Sequence, residues 1–498
     1  MIEIRDFVKQ YQDFRLELSL DIPDNRVVGI IGKNGCGKST TIKAILGLIR
    51  PTSGSVRVFG REARELAPRD KEKIGVALSD SMFSAQLNVE DIIAILRAMY
   101  RDFDEPFFRE MCGKLNLPLK KQLKEFSTGM KAKVKVLTAI SHKAALLILD
   151  EPTSGLDVEA RNEIIRTIRE YAASDDCSVL ISSHISTDLE GLCDEFYLFS
   201  GGKIVLHETG ESIEKHYGTV QIPFETFDAI DRSRISGYKK ETFGYACVTD
   251  DREYFAKKSS RNQGEARNHR RPYHPVGRTR RMKGLLIKDL RIVFRRKQHL
   301  LILLGFFAMI AFTAEGSFII GYAAGLTGIL GLSTLAFDEQ DNGFPFLFSL
   351  PVDVRTYVNE KYLFCVLLDL VGAAIGTVLF VLACLVKGHP DAIQDGIVYL
   401  ALYLPATILL ILSILPIQMV FGREKSRIIT LIVYGILFVL SALIVKLVGP
   451  IDKIEAPRNL PEWLANPFFL AAVAFMLMLI LCVALYLFCL RAMRNKEY

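Results

Sequence analysis

The sequence predicts a chain in two parts, an α/β domain followed by an all-α membrane domain of six helices. Three observations predict it. Residues 1–217 alternate short apolar strands with helical patterns, as α/β domains do. A glycine-rich loop joins one such strand to one such helix. Beyond residue 300 the chain contains six long apolar segments, and half of all 498 residues are hydrophobic, which is high for a protein outside a membrane.

The α/β domain contains strands of two kinds. Leu16, Leu18 and Leu20 alternate with polar residues, which predicts a half-buried antiparallel strand. Short apolar runs typical of buried parallel strands cover Arg26–Ile31, Leu146–Leu149 and Val179–Ser182.

The glycine-rich loop matches the pattern Gly-x-x-x-x-Gly-Lys-Ser that cradles nucleotide phosphates. Its glycines let backbone N–H groups turn toward the phosphates, and the helix that follows adds partial positive charge. We expect Lys38 to reach the β- and γ-phosphates and Ser39 to bind Mg²⁺. The predicted ATP-binding residues of this segment are Gly32, Asn34, Gly35, Cys36, Gly37, Lys38, Ser39 and Thr40.

A second motif supplies two carboxylates. The apolar run Ala145–Leu149 ends in Asp150 and Glu151. Asp150 is placed to hold Mg²⁺, and Glu151 is placed to polarise the attacking water. Alone, a strand ending in Asp-Glu is often a solvated strand end, but next to a phosphate loop the pair predicts hydrolysis.

Residues 1–217 resemble the ATP-binding cassette (ABC) family, whose domain also has an antiparallel β subdomain and a helical subdomain. Asp150–Asp157 resembles the family's Walker B and D-loop run. Phe126–Met130 stands where its Leu-Ser-Gly-Gly-Gln signature stands, and Val179–His184 ends in its switch histidine. Tyr11 stands where the family places an adenine-stacking aromatic residue.

The resemblance implies catalytic roles for Glu151 and His184, and ATP contacts for Tyr11 and Asp157. A structural histidine is the alternative for His184, and a core aromatic residue is the alternative for Tyr11, with Phe14 as its rival.

Two departures from the family matter. The signature has become Phe-Ser-Thr-Gly-Met, in which Ser127 and Gly129 keep the groups that contact ATP in the opposite subunit. The Q-loop glutamine is replaced by Ser79, beside Asp80, and we expect Ser79 to take its place as a Mg²⁺ ligand. Because one chain carries one cassette, the resemblance implies a homodimer with ATP bound between the two copies.

The segment between the two parts is predicted in three pieces. Residues 218–256 extend the ATPase domain. Residues 257–281 form a basic linker, since they carry nine basic residues against one acidic residue and little apolar surface. Because the basic excess sits in this linker rather than on a folded face, we expect no nucleic-acid partner. Residues 282–299 are expected to form an amphipathic helix on the inner leaflet of the bilayer.

Residues 300–498 are expected to span a bacterial cytoplasmic membrane six times. With six spans, the basic groups near Arg295, Arg423 and Arg491 all lie on one side, which the distribution of positive charge makes cytosolic. The ATPase domain and both termini are therefore expected in the cytosol. The predicted spans are Leu300–Thr313, Ser317–Ala336, Leu363–Val386, Ile397–Phe421, Ile428–Val448 and Phe468–Leu490.

This region resembles the ABC-2 type permeases. In these the loop Ser349–Val358 would hold a short helix, beginning at Pro351, that docks on the ATPase; an ordinary amphipathic surface helix is the alternative. Asp369 either lines a pathway or reaches the inner interface. We expect Pro405 and Pro416 to bend the fourth span.

The close-packing motifs Gly321-x-x-x-Gly325 and Gly372-x-x-x-Gly376 serve either the core of one subunit or a dimer face.

The spans contain few ionisable groups, so we expect an amphipathic or lipid-like cargo rather than a small hydrophilic one. The single-chain arrangement and the Phe-Ser-Thr-Gly-Met signature look most like the phenol-soluble modulin exporters of Gram-positive bacteria, which implies export of amphipathic peptides. The alternatives are export of lipids, drugs or bacteriocins, and a membrane ATPase that senses peptides without transporting them.

Overall fold

A computed structural model describes residues 1–173, 177–216, 218–222, 237–241, 244–249, 279–295, 297–313, 318–339, 342–448 and 467–498. Almost all of the expected basic linker 257–281 lies outside these residues, and so does most of the stretch between the fifth and sixth expected spans. The predicted fold class is confirmed: an α/β part with two sheets precedes a part built from long helices.

An antiparallel sheet forms the edge of the first part, in the order β2-β1-β4-β5. In β2 buried and exposed residues alternate along the whole strand, as the leucine pattern predicts. The strands are β1 (Ile2–Gln10), β2 (Arg15–Ile22), β4 (Ser53–Val58) and β5 (Arg61–Glu62).

A six-stranded sheet in the order β10-β9-β3-β8-β7-β6 forms the centre. Its strands are parallel except β10, which pairs antiparallel with β9. Since strands covered on both faces are apolar throughout, β7 and β8 are buried along their entire length. The strands are β3 (Val27–Gly32), β6 (Ile74–Ala77), β7 (Leu146–Asp150), β8 (Ser178–Ser183), β9 (Glu195–Ser200) and β10 (Lys203–Thr209).

Helices surround these sheets, and several begin at a side-chain cap that the sequence supplies. Asn88 and Asp91 form a reciprocal capping box, while Ser127 and Asp157 accept backbone N–H groups at the starts of their helices. The helices are α1 (Lys38–Ile45), α2 (Pro68–Lys71), α3 (Val89–Met99), α4 (Glu105–Lys114), α5 (Thr128–Ile140), α6 (Val158–Ala172) and α7 (Gly210–His216).

The expected extension at 218–256 contains a small antiparallel sheet in the order β11-β13-β12. Its strands are β11 (Gly218–Ile222), β12 (Gly237–Glu241) and β13 (Gly244–Thr249).

The second part is helical in every long element. Within the described residues, three helices are long and apolar enough to cross a membrane, namely α10, α12 and the first arm of α13 up to Gly422. The helices are α8 (Thr279–Phe294), α9 (Lys297–Thr313), α10 (Phe318–Glu339), α11 (Gly343–Ser349), α12 (Val354–Val386), α13 (Asp395–Val448) and α14 (Pro467–Asn495). The six expected spans fall in α9, α10, α12, the two arms of α13 and α14.

The glycine motifs pack helices inside one chain. A Cβ at Gly372 would lie 1.8 Å from the Thr327 hydroxyl, and one at Gly376 would lie 2.9 Å from the Ile319 carbonyl. A Cβ at Gly321 would lie 3.1 Å from the Tyr403 ring. Small residues therefore let α10 approach α12 and α13 closely, so these motifs serve the core of the subunit.

Two expectations about the helices are wrong. The amphipathic helix ends at Phe294 and a new helix begins at Lys297, so residues 282–299 are not one element. The helical backbone of α13 breaks at Gly422, where φ is 76°, while Pro405 and Pro416 lie inside its first arm. The expected basic loop after the fourth span is helical apart from this glycine.

The short helix near Pro351 is also misplaced in the prediction. The short helix α11 precedes Pro351, and the residues after it belong to the long helix α12. The physical reason is Asp353, whose carboxylate accepts the Thr356 N–H at 2.6 Å and so starts α12 at Val354.

Candidate active site

The phosphate loop has the backbone that its glycines predict. Gly35 and Gly37 have φ values of 82° and 111°, in the left-handed region that favours glycine. A Cβ at Gly37 would also lie 2.6 Å from Leu16. The loop therefore turns tightly from β3 into α1, and the free N–H groups at the start of α1 face the turn.

Lys38 is buried at the centre of this turn. Its ammonium donates to the Gly32 carbonyl at 2.6 Å and pairs with Glu151 Oε1 at 3.0 Å. The first motif is thus joined to the second, since Glu151 follows directly after β7. A cation held at the mouth of a ring of N–H groups suits a polyphosphate.

Glu151 is held in an uncommon conformation. Its φ is +49°, and its N–H points at the carbonyl and the hydroxyl of Ser182 at 3.2 and 3.1 Å. Its Oε2 lies 2.5 Å from His184 Nδ1. Burial raises the pKa of the Glu151 carboxyl, but hydrogen bonds from His184 and Lys38 outweigh burial, and the net pKa lies below the ordinary value. Glu151 is therefore a carboxylate at neutral pH, able to accept a hydrogen bond from water.

Asp150 is buried at the end of β7. It accepts hydrogen bonds from Ser182 Oγ at 2.6 Å and from Ser79 Oγ at 3.0 Å. Ser79 therefore reaches the Walker B carboxylate, where we expected it to act. Within the described residues no group of three His, Cys, Asp or Glu side chains is arranged to hold a metal. A divalent cation here would share its ligands between protein oxygens and the nucleotide.

Tyr11 follows β1 in the turn to β2, with 41% of its surface exposed. Its ring stacks at 6.5 Å on Phe14, which packs against the core. Of the two aromatic residues, Tyr11 is therefore the one free to contact a ligand.

The signature segment faces outward. Ser127 is exposed, and its hydroxyl caps α5 by accepting the Met130 N–H at 3.2 Å. Asp157 is also exposed, and it caps α6. Among the residues that the structure describes, no hydrogen bond joins Ser127, Gly129 or Asp157 to the phosphate loop of the same chain.

The short helix α11 docks on the segment after β6. The Ser81 hydroxyl donates to the Asn342 carbonyl at 2.7 Å, and Phe346 packs edge-on against Phe83 at 4.8 Å between centroids. The Lys71 ammonium donates to the Phe348 carbonyl at 2.5 Å, and burial lowers the pKa of Lys71 to about 8, against the opposing effect of Asp353. The element that contacts the ATPase is therefore α11, not a helix starting at Pro351.

A second contact corrects the expected location of the amphipathic helix α8. Leu285 and Ile292 are fully buried, and a Cβ at Gly284 would lie 2.4 Å from Met99 of α3. The buried carboxylate of Asp91 on α3 pairs with Arg295 at 2.9 Å. One face of α8 is therefore covered by the ATPase rather than by lipid.

The end of the chain makes a third contact. The Glu497 carboxylate pairs with Lys9 at 2.8 Å and accepts the Arg50 N–H at 3.0 Å. The Tyr498 N–H donates to the Leu48 carbonyl at 3.0 Å, and the Tyr498 ring packs on Phe348 of α11. The tail after α14 thus lies against the ATPase, on the side of the phosphate-loop helix α1.

A buried ionic cluster joins α8, α10 and α12. Lys361 pairs with Asp289 at 2.5 Å and with Asp338 at 2.8 Å, and Lys288 pairs with the same two aspartates. Tyr357 and Thr334 donate further hydrogen bonds to these aspartates at 2.9 and 3.1 Å. The members of the ionic cluster are Lys288, Asp289, Thr334, Asp338, Tyr357 and Lys361.

Sequence reasoning missed this cluster, although a signal existed. Lys288, Asp289 and Lys361 are charged residues within or next to apolar helices, where such residues occur mainly in pairs or at functional sites. Asp369 is fully buried and accepts a hydrogen bond from Thr407 at 3.0 Å, so it faces α13 inside the subunit.

Comparisons with known proteins match both parts of the chain. The family model described as ABC transporter matches residues 16–154. The model described as ABC-2 family transporter protein matches residues 284–493.

Individual relatives match the first part. The lantibiotic transport ATP-binding protein SrtF of Streptococcus pyogenes is 34% identical over 232 residues, which cover 45% of this chain and 99% of SrtF. The bacitracin transport ATP-binding protein BcrA of Bacillus licheniformis is 32% identical over 209 residues, which cover 41% of this chain and 68% of BcrA. A solved ATP-binding subunit of an ABC transporter is 27% identical, with a TM-score of 0.39, over 43% of this chain and 92% of the subunit.

These matches extend across nearly the whole of SrtF and reach both parts of the chain, and the expectation of an ABC ATPase joined to an ABC-2 membrane domain is confirmed. The chain therefore belongs to the ABC transporter family, as a membrane-integral transporter that couples ATP hydrolysis by its first part to transport through its second.

Proposed function

We propose that this transporter is a homodimer that exports amphipathic peptides of the phenol-soluble modulin type from the cytosol. The observation that carries the dimer is the exposed position of Ser127 in the signature segment. One chain holds a phosphate loop and a signature segment that do not meet, so two copies facing each other would complete two ATP sites.

The proposed site assigns a role to each motif. Residues 32–40 and Lys38 hold the phosphates, Tyr11 stacks on the base, and Ser127, Gly129 and Asp157 contact the ATP of the partner. Glu151 orients the attacking water, and His184 stabilises Glu151 and the γ-phosphate.

The residues at the end of β7 also fit Mg²⁺, a hard cation that prefers oxygen ligands. Asp150, Ser39 and, in place of the missing glutamine, Ser79 would hold it. Bound there with ATP, Mg²⁺ would neutralise charge on the phosphates. The Ser182 hydroxyl, 2.6 Å away, holds Asp150 in place.

Two observations support a peptide cargo. The relatives SrtF and BcrA have names that specify transport of lantibiotics and of bacitracin, which are peptides. The helices α12 and α13 expose large apolar side chains such as Val378, Val386 and Ile397, which suits contact with lipid or with an amphipathic chain. The same names favour a second candidate, self-protection by export of a bacteriocin or peptide antibiotic.

The test is ATPase activity of the full chain in liposomes. We expect an amphipathic helical peptide to raise turnover about twofold or more, and a scrambled peptide of equal composition to leave it unchanged. Glu151→Gln should abolish the response, because the general base is lost. Stimulation by bacitracin or a lantibiotic alone would favour the second candidate. Stimulation by lipids or drugs alone would contradict a peptide cargo.

A further inference from the structure

The segment after β6 connects the proposed nucleotide site to the membrane part, although it lacks a glutamine. On one side the Ser79 hydroxyl donates to Asp150 at 3.0 Å. On the other side Asp80 accepts a hydrogen bond from the Asn342 amide at 3.3 Å, and Ser81 donates to the Asn342 carbonyl. Ser79, Asp80 and Ser81 therefore connect Asp150 to the start of α11 without a gap. The side chain of Ser79 is shorter than a glutamine, however, and reaches Asp150 through a single hydrogen bond.

Lys135 supplies an additional hold on this segment. Its ammonium donates to the Leu78 carbonyl at 2.8 Å and to the Ser79 carbonyl at 2.7 Å. Two carbonyls fixed by one cation determine the course of the backbone at Ser79. Since a hydroxyl on a short side chain follows its backbone closely, the position of Ser79 Oγ relative to Asp150 depends on these two hydrogen bonds.

The surroundings favour a cation at this point. Lys135 lines a cavity of about 430 Å³ together with Asp80, Asp150 and Glu151. Hydrogen bonds from an ammonium to carbonyls are of the stronger, charge-assisted kind.

Lys135 also connects this segment to the signature. It lies on α5, eight residues after the helix cap Ser127, which corresponds to roughly 12 Å at 1.5 Å per residue. A helix of this length moves as a unit. A shift of Ser127 would be carried through Lys135 to the Ser79 backbone.

We propose that Lys135 is a positioning residue for ATP hydrolysis, which holds the Leu78 and Ser79 carbonyls and so aligns Ser79 with Asp150 while tying the signature helix to the segment that contacts α11. The inference rests on the proposed nucleotide site. In the family a glutamine side chain connects the nucleotide site to the membrane part. Here the inference assigns that connection to Lys135 of α5, the helix that Ser127 caps.

The test compares Lys135→Met, which keeps the length of the side chain and removes the charge, with Lys135→Arg, which keeps two donors. Lys133→Met is the matched control, because Lys133 is a partly buried lysine of the same helix that pairs with Glu163 on α6 instead. Each full-length variant is placed in lipid nanodiscs. We measure kcat and KM for ATP, binding of trinitrophenyl-ATP, and the melting temperature.

We expect Lys135→Met to lower kcat about tenfold or more, with KM and nucleotide affinity within about twofold of the original chain. Lys135→Arg should restore at least about a third of kcat, and Lys133→Met should leave it within about twofold. A Lys135→Met protein with unchanged kcat overturns the inference. So does a loss of kcat matched by a fall in melting temperature and nucleotide binding, because that pattern indicates a structural role.

Glu151→Gln separates this failure from failure of the proposed site. If Glu151→Gln is inactive and Lys135→Met is fully active, only the role of Lys135 is wrong. If Glu151→Gln turns over ATP normally, the proposed site itself is wrong.

Discussion

At Glu151 the backbone and the side chain are both fixed by neighbours that are distant in sequence. A left-handed φ in a residue other than glycine costs about 1–3 kcal/mol and persists only where the surroundings impose it. Here Ser182 holds the N–H, while Lys38 and His184 hold the carboxylate. The carboxylate is thereby directed toward the phosphate loop.

His142 makes the stability of the ATPase depend on pH. The ring is fully buried, stacks on Tyr100 at 4.0 Å and contacts the Ile74 carbonyl through Nε2 at 3.3 Å. Burial lowers the pKa of His142 from 6.5 to about 4. Between these values the unfolded chain binds a proton that the folded chain excludes. The contribution of His142 to stability is therefore complete above pH 6.5 and is lost as the pH falls toward 4, by about 3 kcal/mol in total.

The replacement His142→Gln removes this titration and keeps a donor for the Ile74 carbonyl. We expect the melting temperature of the variant to fall less between pH 7 and pH 5 than that of the original chain, as measured by differential scanning fluorimetry. His389→Gln is the control, because the side chain of His389 is exposed. Equal slopes for His142→Gln and the original chain would contradict the assignment.

The sequence is informative about residues whose partners belong to a recognisable motif. Lys38 and Glu151 belong to motifs that the sequence identifies, and they meet because the phosphate loop follows β3 and Glu151 follows β7 of the same sheet. Lys135 was not predicted, because the carbonyls it contacts lie 57 and 56 residues earlier and carry no side-chain signal. The same holds for Lys361, whose partner Asp289 is 72 residues away.

At the scale of single elements, the amphipathic helix α8 illustrates what periodicity leaves open. An apolar stripe at helical spacing indicates that one face is covered, but it does not identify the covering surface. The basic residues suggested lipid head groups, yet Arg295 pairs with Asp91 of the ATPase. In the sequence Asp91 indicated only the start of a helix, because it completes a capping box with Asn88, and it did not indicate a partner on α8.

A double-mutant cycle between Asp91→Asn and Arg295→Met tests this contact. Arg295 meets the buried carboxylate through two nitrogens at 2.9 and 3.0 Å, so we expect a coupling free energy of about 1–3 kcal/mol. Arg291 contacts the same carboxylate at 3.3 Å but is 51% exposed, so the matched cycle with Arg291→Met should give about 0–1 kcal/mol. Urea unfolding of the full chain in detergent measures both. Equal coupling free energies in the two cycles would contradict the expectation that Arg295 interacts more strongly with Asp91 than Arg291 does.

In the membrane part the existence of the helices was predicted, but the residues at which they begin or break were not. The long apolar helices were predicted from composition, because about 20 consecutive apolar residues form a helix long enough to cross the hydrocarbon core. The first residue of α12 was predicted wrongly. A proline is common at the first helical position, so Pro351 was chosen, but the carboxylate of Asp353 caps the helix and starts it at Val354. The break at Gly422 was likewise missed, because it lies just beyond the expected fourth span and after both prolines.

At the scale of the whole molecule, three separate contacts join the two parts within the described residues. The helix α11 meets the segment after β6, α8 lies on α3, and the tail after α14 lies on β1 and on the segment after α1. The ionic cluster then joins α8 to α10 and α12. A movement of α3 in the ATPase would therefore be transmitted to the membrane helices through α8, in addition to any movement transmitted through α11.

Substitutions in the ionic cluster test whether α8 connects the ATPase to the membrane helices α10 and α12. Its two lysines and two aspartates balance in charge, so Lys361→Met should leave two buried aspartates facing Lys288 alone and destabilise the chain by about 3–5 kcal/mol. Arg355 is the matched control: it is a basic residue of the same helix but is exposed, so Arg355→Met should change stability by less than about 1 kcal/mol. Adding Asp289→Asn to Lys361→Met should recover part of the loss, since the excess negative charge is removed. Thermal unfolding of the four proteins in nanodiscs, followed by ATPase assays of those that fold, measures the effect. If Lys361→Met were as stable as Arg355→Met, the cluster would not hold α8 to the membrane helices, and α11 and the tail after α14 would be left as the connections.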